Sequence, residues 1–244
     1  MASFRDNWAF GIVTIVWGSF MVVVTVLSIL VAAPFLGPRK AFFSIAPMFY
    51  RSVFAVCGIR WSIEGWDELP EAIRNGTQPC IFMCNHESQL DPPFLVGILP
   101  AHPVFIAKKE VKYIPFVGWA AMCAGVIFID RGHRERAIGS LSQAAAGIRS
   151  GKSVVVFPEG TRTRTGELLV LKKGSFNLAL EAGVPVVPMG LNGAYQVLRP
   201  GARRISPGHY RLRVGAPLDP ASFKDREALM DETRNRILQL SRGE

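Results

Sequence analysis

The chain is sparing with cysteine. It has four among 244 residues, Cys57, Cys80, Cys84 and Cys123, and their spacing matches no zinc site. They read as reduced, mostly buried thiols of a cytoplasmic protein. No Gly-x-Ser-x-Gly segment occurs, which excludes the serine nucleophile turn of the α/β-hydrolases. Internal repeats and low-complexity linkers are missing too, and the length suits one domain with a full core. Acidic residues are the scarcer charge. Nineteen Asp and Glu against 28 Lys and Arg leave a net charge of +9, while 49% of residues are hydrophobic. A basic, oily chain suits an anionic membrane surface or an anionic substrate. Nucleic acid competes as a partner for such charge. The basic residues are scattered and no nucleic-acid motif is present, so no nucleic acid is expected.

Charge is absent altogether from residues 8–36. As a helix this stretch would extend past about 40 Å, and a bilayer core needs about 20 residues. It is too long for a signal-peptide core, and only Arg5 precedes it. A soluble helix would keep a polar face, so the stretch reads as membrane-inserted. Arg39, Lys40 and Arg51 follow it, whereas Arg5 is balanced by Asp6. That positive flank places the rest of the chain on the cytoplasmic side of an inner membrane. Residues 41–57 are also apolar and aromatic but are interrupted by Pro47 and Arg51, and read as a second, interfacial helix. A hairpin dipping into one leaflet and a single spanning helix both fit. Residues 1–57 are therefore expected to anchor the chain. Residues 58–244 are expected to form an α/β domain that becomes more soluble without the anchor.

The remaining chain alternates between two periods. Strands are predicted at 61–65, 80–84, 104–107, 126–129, 154–157, 184–189 and 210–214. Helices are predicted at 92–98, 114–124, 135–150, 173–182 and 221–240, the third and fourth stopped by Gly151 and Gly183. The alternation predicts an α/β fold, a mostly parallel sheet flanked by helices, with the membrane-embedded helix or helix pair in front.

Between the strand at 80–84 and the prolines Pro92 and Pro93 lies Asn85-His86-Glu87-Ser88-Gln89-Leu90-Asp91. A histidine and a carboxylate at a strand-to-helix turn suit proton transfer. His86 would take a proton from a hydroxyl, and Asp91 would hold the ring in one tautomer. Five residues is a helical offset of about 140°. The two side chains therefore meet only if the turn is irregular, and Pro92 disfavours helix at Asp91. Ser88 reads as a cap of the turn. Cys84, on the strand side of His86, is poorly placed to be a nucleophile.

Asn85-His86 with Asp91, the segment 125–131, Phe157-Pro158-Glu159-Gly160-Thr161-Arg162, and the segment 184–189 follow in order at domain-scale spacing. Together they resemble the four blocks of the glycerolipid acyltransferase family over about residues 60–215, and the bacterial members that acylate lysophosphatidate are the nearest match. The resemblance implies transfer of a fatty acyl group from an acyl-carrier-protein or coenzyme A thioester to the sn-2 hydroxyl of 1-acyl-glycerol-3-phosphate, giving phosphatidate. It implies His86 and Asp91 as catalytic residues, with no metal and no cofactor. It assigns Glu159, Gly160, Thr161 and Arg162 to the glycerol phosphate and links the 184–189 block to the acyl donor. Arg162 offers a forked guanidinium to a phosphate, and Glu159 would hold a glycerol hydroxyl or brace Arg162. Arg131 and Lys109 are further candidates for the phosphate, as positive charges after short strands. Lys172 and Lys173 would add positive charge to the same cleft or form a solvated basic turn, and the loop with Arg199, Arg203, Arg204 and Arg211 would lie on anionic lipid headgroups or in solvent. Expected partners are lysophosphatidate, the thioester, membrane lipids and, where it carries the acyl group, the acyl carrier protein itself. Another lysolipid acceptor, such as a lyso-ornithine lipid or a lysophospholipid, and a non-catalytic lipid-binding membrane protein are the alternatives.

Overall fold

The computed structural model describes residues 8–130, 134–202 and 204–243. Two long helices come first, α1 (Trp8–Leu36) and α2 (Pro38–Cys57), separated by Gly37 at φ +80°. Pro38 opens α2, where its missing N–H costs nothing. Pro47 lies inside the helix without ending it. The chain then runs through β1 (Ile59–Glu64), the single turn α3 (Glu71–Arg74), β2 (Ile81–Cys84), α4 (Asp91–Ile98) and β3 (Val104–Lys108). A 3-10 turn (Lys109–Tyr113) leads to α5 (Val117–Ala124), β4 (Ile127–Ile129), α6 (Arg134–Arg149), β5 (Val154–Val156) and α7 (Lys173–Ala182). Last come β6 (Val186–Asn192), the short α8 (Ala194–Val197), β7 (Gly208–Val214) and α9 (Arg226–Arg242).

The seven strands form one sheet in the order β1-β7-β6-β2-β5-β3-β4. Every pairing is parallel except β6 with β7. β2 and β5 sit side by side near the middle, so the loops leaving their C-terminal ends emerge together, where open α/β sheets place their sites. Residues on β2 alternate between two cores. Ile81 and Met83 face a layer of α6, α7 and α9 side chains, while Phe82 and Cys84 face α2 and α4.

The core crosses the boundary at residue 57. Phe42, Phe43, Phe49, Val53 and Phe54 of α2 are buried in the same cluster as Phe82, Phe94, Met189 and Tyr210. Two arginines fasten the helix. Arg39 donates to His102 O at 2.7 Å and to Ala124 O at the end of α5 at 3.3 Å, and Arg51 donates to Gly97 O at the end of α4 at 3.2 Å. Helix α1 packs on α2, with Ile29 in the shared core and Met21, Val22, Ala32 and Ala33 against it, and exposes Ile12, Val16, Phe20, Leu27, Val31 and Phe35. Among the described residues, one helical stretch, Phe10–Leu36, is long and apolar enough to cross a membrane.

Candidate active site

The site is built from the two turns that leave β2 and β5. Asp91 proves to be the first residue of α4 rather than part of the turn, so the irregular segment is 85–90 and the helical offset never applies. Asp91 is fully buried, and its Oδ2 draws the turn around itself. It accepts from the backbone N–H of Glu87 and of Ser88 at 2.8 Å each, and it meets His86 Nδ1 at 2.8 Å. Leu90 N–H donates to Ser88 Oγ at 3.1 Å, so Ser88 is a local cap.

The second turn clamps the first from the side. Phe157, just past β5, stacks under the His86 imidazole with ring centroids 4.0 Å apart and planes 18° from parallel. Glu159 is 1% exposed, and both of its oxygens are engaged. His86 N–H donates to Oε1 at 2.6 Å, and Leu169 N–H to Oε2 at 2.8 Å. Thr163 N–H closes the bracket on His86 O at 2.9 Å. Glu159 thus braces the His86 turn and the return of its own loop, not Arg162. Arg162 instead reaches Gln89 Oε1 at 3.3 Å and stays half-buried beside the histidine. Gly160 has φ +71°, a left-handed turn that favours glycine, and Thr161 is exposed.

A third bracket comes from β6. The Asn85 amide takes both backbone groups of Leu191, donating to its O at 2.9 Å and accepting from its N–H at 2.6 Å. It also donates to Glu87 Oε1 at 3.0 Å, while Glu87 Oε2 accepts Tyr195 N–H at 3.0 Å. Asn85 and Glu87 lie within the His86 block, but their partners outside it, Leu191 and Tyr195, are over a hundred residues away in sequence. The polar residues of a turn between a buried strand and a helix were the signal available for them. Nothing local marked Phe157, Leu169 or Tyr195 as partners.

The charged residues separate into two groups. His86, Asp91, Glu159 and Arg162 share one cluster. Lys109 pairs with Asp130 at 2.7 Å, at the ends of β3 and β4 along the same sheet edge. Arg131 and Arg203 lie outside the described residues. Arg204 lays its stem over α1, where a Cβ added at Gly11 would stand 3.5 Å from Arg204 Cγ. The 184–189 block becomes most of β6, whose buried residues are core.

Three acidic groups around one histidine perturb their neighbours. Burial is the main force raising Glu87, to about 7, with Tyr195 N–H opposing and Asp91 and Glu159 adding to the rise. Glu159 is raised for the same first reason, against the pull of the Leu169 and His86 amides. Burial, with the charges of Asp91, Glu87 and Glu159, pushes the Cys84 thiol well above its usual range, so it stays protonated at neutral pH. The folded value of Glu87 lies above the unfolded value of 4.5, so the folded protein holds a proton that the unfolded chain has released. Its contribution to stability therefore falls as pH rises from about 4.5 to about 7, and is level above that. The melting temperature of the wild type minus that of Glu87→Gln should accordingly shrink across this window in a calorimetric pH series. A constant difference would show that Glu87 does not titrate there.

This chain belongs to the acyltransferase family: the family model for acyltransferase matches residues 60–192. Among curated relatives, the 1-acyl-sn-glycerol-3-phosphate acyltransferase alpha of Ovis aries is 36% identical over 188 residues, spanning 76% of this chain and 64% of that one. The 1-acyl-sn-glycerol-3-phosphate acyltransferase of Saccharomyces cerevisiae is 33% identical over 176 residues, 71% of this chain and 56% of that one. The match thus covers just under two thirds of the sheep protein's length. The crystal structure of the 1-acyl-sn-glycerophosphate (LPA) acyltransferase PlsC from Thermotoga maritima superposes with a TM-score of 0.82 at 27% identity, over 98% of this chain and 96% of that one.

Proposed function

We propose that this protein acylates the sn-2 hydroxyl of 1-acyl-glycerol-3-phosphate, using an acyl-carrier-protein or coenzyme A thioester as donor. The observation that carries the reading is the His86–Asp91 contact at 2.8 Å, held by brackets from β5, β6 and α4. With Nδ1 committed to Asp91, Nε2 is the ring nitrogen for the acceptor hydroxyl. As that oxygen attacks the thioester carbonyl, its proton passes to Nε2. The tetrahedral intermediate then collapses, the carbon–sulfur bond breaks, and the imidazolium returns the proton to the departing thiolate. Asp91 steadies the imidazolium in between. A protonated, buried Cys84 favours this direct attack over an acyl-enzyme.

Arg162 is the proposed phosphate ligand, because its guanidinium stands beside Gln89 on the histidine turn. The backbone of Gly160 and Thr161 shapes that loop, and Lys109 lies along the same edge, paired with Asp130; Arg131 stays a phosphate candidate on its sequence alone. Glu159 serves the acceptor indirectly, by holding His86 in place. Arg162→Ala should raise the acceptor KM roughly ten- to a hundred-fold with little change in the donor KM. Steady-state kinetics with each substrate varied would check this, and equal effects on both would show collapse of the loop instead.

The lipid acceptor also needs an interface. The outward face of α1 is apolar along its length. Next to it the 3-10 turn and α5 expose Tyr113, Ile114, Trp119 and Met122 beside Lys108 and Lys112. Apolar side chains beside lysines suit an anionic leaflet, which supports residence on the inner membrane with the site facing the cytoplasm. The test is an acceptor screen of lysophosphatidate, lyso-ornithine lipid and neutral-headgroup lysophospholipids against both thioester carriers. Lysophosphatidate should be preferred, and equal use of an acceptor without a phosphomonoester would refute the Arg162 assignment.

A further inference from the structure

Asp91 has a second carboxylate oxygen. Oδ2 carries three hydrogen bonds, whereas Oδ1 is buried and has none. The hydroxyl of Tyr210 is in the same condition, and Tyr210 lies against Ser88 and Asp91. A buried polar group left unmatched costs about 1–3 kcal/mol, and a hydroxyl donor and a carboxylate acceptor in one buried cluster are complementary, with the Ser88 hydroxyl as the competing partner.

Tyr210 stands outside the motif blocks, on β7. Because β7 runs antiparallel to β6, with Arg211 opposite Asn192, its beginning lies at the edge where the loops after β2 and β5 emerge. The Tyr210 ring is fully buried. It packs 4.7 Å from Phe94, in the first turn of α4, and 6.4 Å from Phe54, in the last turn of α2, with the latter planes 18° from parallel. Phe54 and Phe94 are themselves 5.7 Å apart. One ring therefore touches the helix that begins with Asp91 and the helix that seats α1.

We propose that Tyr210 is a positioning residue: its hydroxyl donates to Oδ1 of Asp91, and its stack with Phe54 makes that contact depend on how α2 is seated. This rests on the reading of His86 and Asp91 as the base. Burial keeps the Tyr210 proton in place far above neutral pH, so the hydroxyl is a donor throughout the working range. The other ionisable groups facing Asp91 are His86 and Glu87 on the turn, Glu159 from the loop after β5, and the thiol of Cys84 on β2. Without the hydroxyl, the Asp91 charge is less well stabilised against Glu87 and Glu159.

The experiment is a pH–rate series on full-length Tyr210→Phe and Phe54→Leu in mixed micelles, with melting curves to confirm folding and His86→Ala as a control. The acid limb of kcat/KM should move up by about half a pH unit to one unit in both variants. The kcat of Tyr210→Phe should fall roughly three- to tenfold with both KM values nearly unchanged. The double variant should move the limb no further than Tyr210→Phe alone, since both act through one contact. A wild-type limb in Tyr210→Phe, with or without a lower melting temperature, overturns the role of Tyr210. A shift in Tyr210→Phe but none in Phe54→Leu overturns the link to α2. Substantial turnover by His86→Ala would instead overturn the base assignment itself.

Discussion

His86→Ala is expected to lower acyl transfer by about 10²–10⁴-fold while leaving the protein folded. The contacts that shape the turn are made by the backbone of residue 86, not by its ring. His86 N–H donates to Glu159, and His86 O accepts from Thr163, whichever side chain is present. Asp91 keeps the amides of Glu87 and Ser88. What disappears is the ring over Phe157 with its contact to Asp91 Oδ2, and with it the Nε2 proposed to take the acceptor's proton. An unactivated glycerol hydroxyl at neutral pH then has no base. Thiol release measured beside a melting curve separates chemistry from folding, and near-normal turnover by a folded variant would refute the assignment.

Deletion of residues 1–57 is expected to prevent folding rather than to liberate a soluble domain. Sequence character alone suggested the opposite, because hydropathy changes sharply near residue 57. The structure supplies the reason for the reversal. Phe42, Phe43, Phe49, Val53 and Phe54 are buried against α4, α5 and the sheet. Each contributes about 1.5–3 kcal/mol, and five together are comparable to the whole stability of a domain, about 5–15 kcal/mol. Removal would also leave His102 O and Gly97 O without their arginine donors. The truncated chain should lack a cooperative melting transition and should aggregate. A monomeric, cooperatively melting fragment active on short-chain lysophosphatidate would show that α2 is a dispensable anchor.

Local patterning located most elements, and long-range partners explain the exceptions. Helix α7 follows the period and the Gly183 stop at the expected bounds. Helix α9 begins five residues later than expected, because 220–222 form a 3-10 turn and Asp225 caps the helix by accepting Ala228 N–H at 2.8 Å. Strand β6 runs on to Asn192 through Gly190, a residue that weakens strand signals. The glycine is there for α9, since a Cβ added to it would lie 2.3 Å from Ser241 N. In the site, the His86–Asp91 pairing was legible in the block it resembles, whereas Pro92 did not keep Asp91 out of the helix, since Asp91 opens α4 and the irregular residues are 85–90. Glu159 was legible as important but not in its role, since its two partner amides belong to residues 86 and 169. The position of Tyr210 depends on the antiparallel pairing of β7 with β6, which no local pattern encodes.

The most direct measurement is product stoichiometry with the purified full-length protein in mixed micelles. Lysophosphatidate and a labelled acyl thioester are supplied together and separately, free thiol is counted, and the lipid product is weighed by mass spectrometry. Thiol and phosphatidate should appear in equal amounts, and only when both substrates are present. Thiol released at the same rate without acceptor, or lysophosphatidate left untouched while another lysolipid is consumed, would contradict the account.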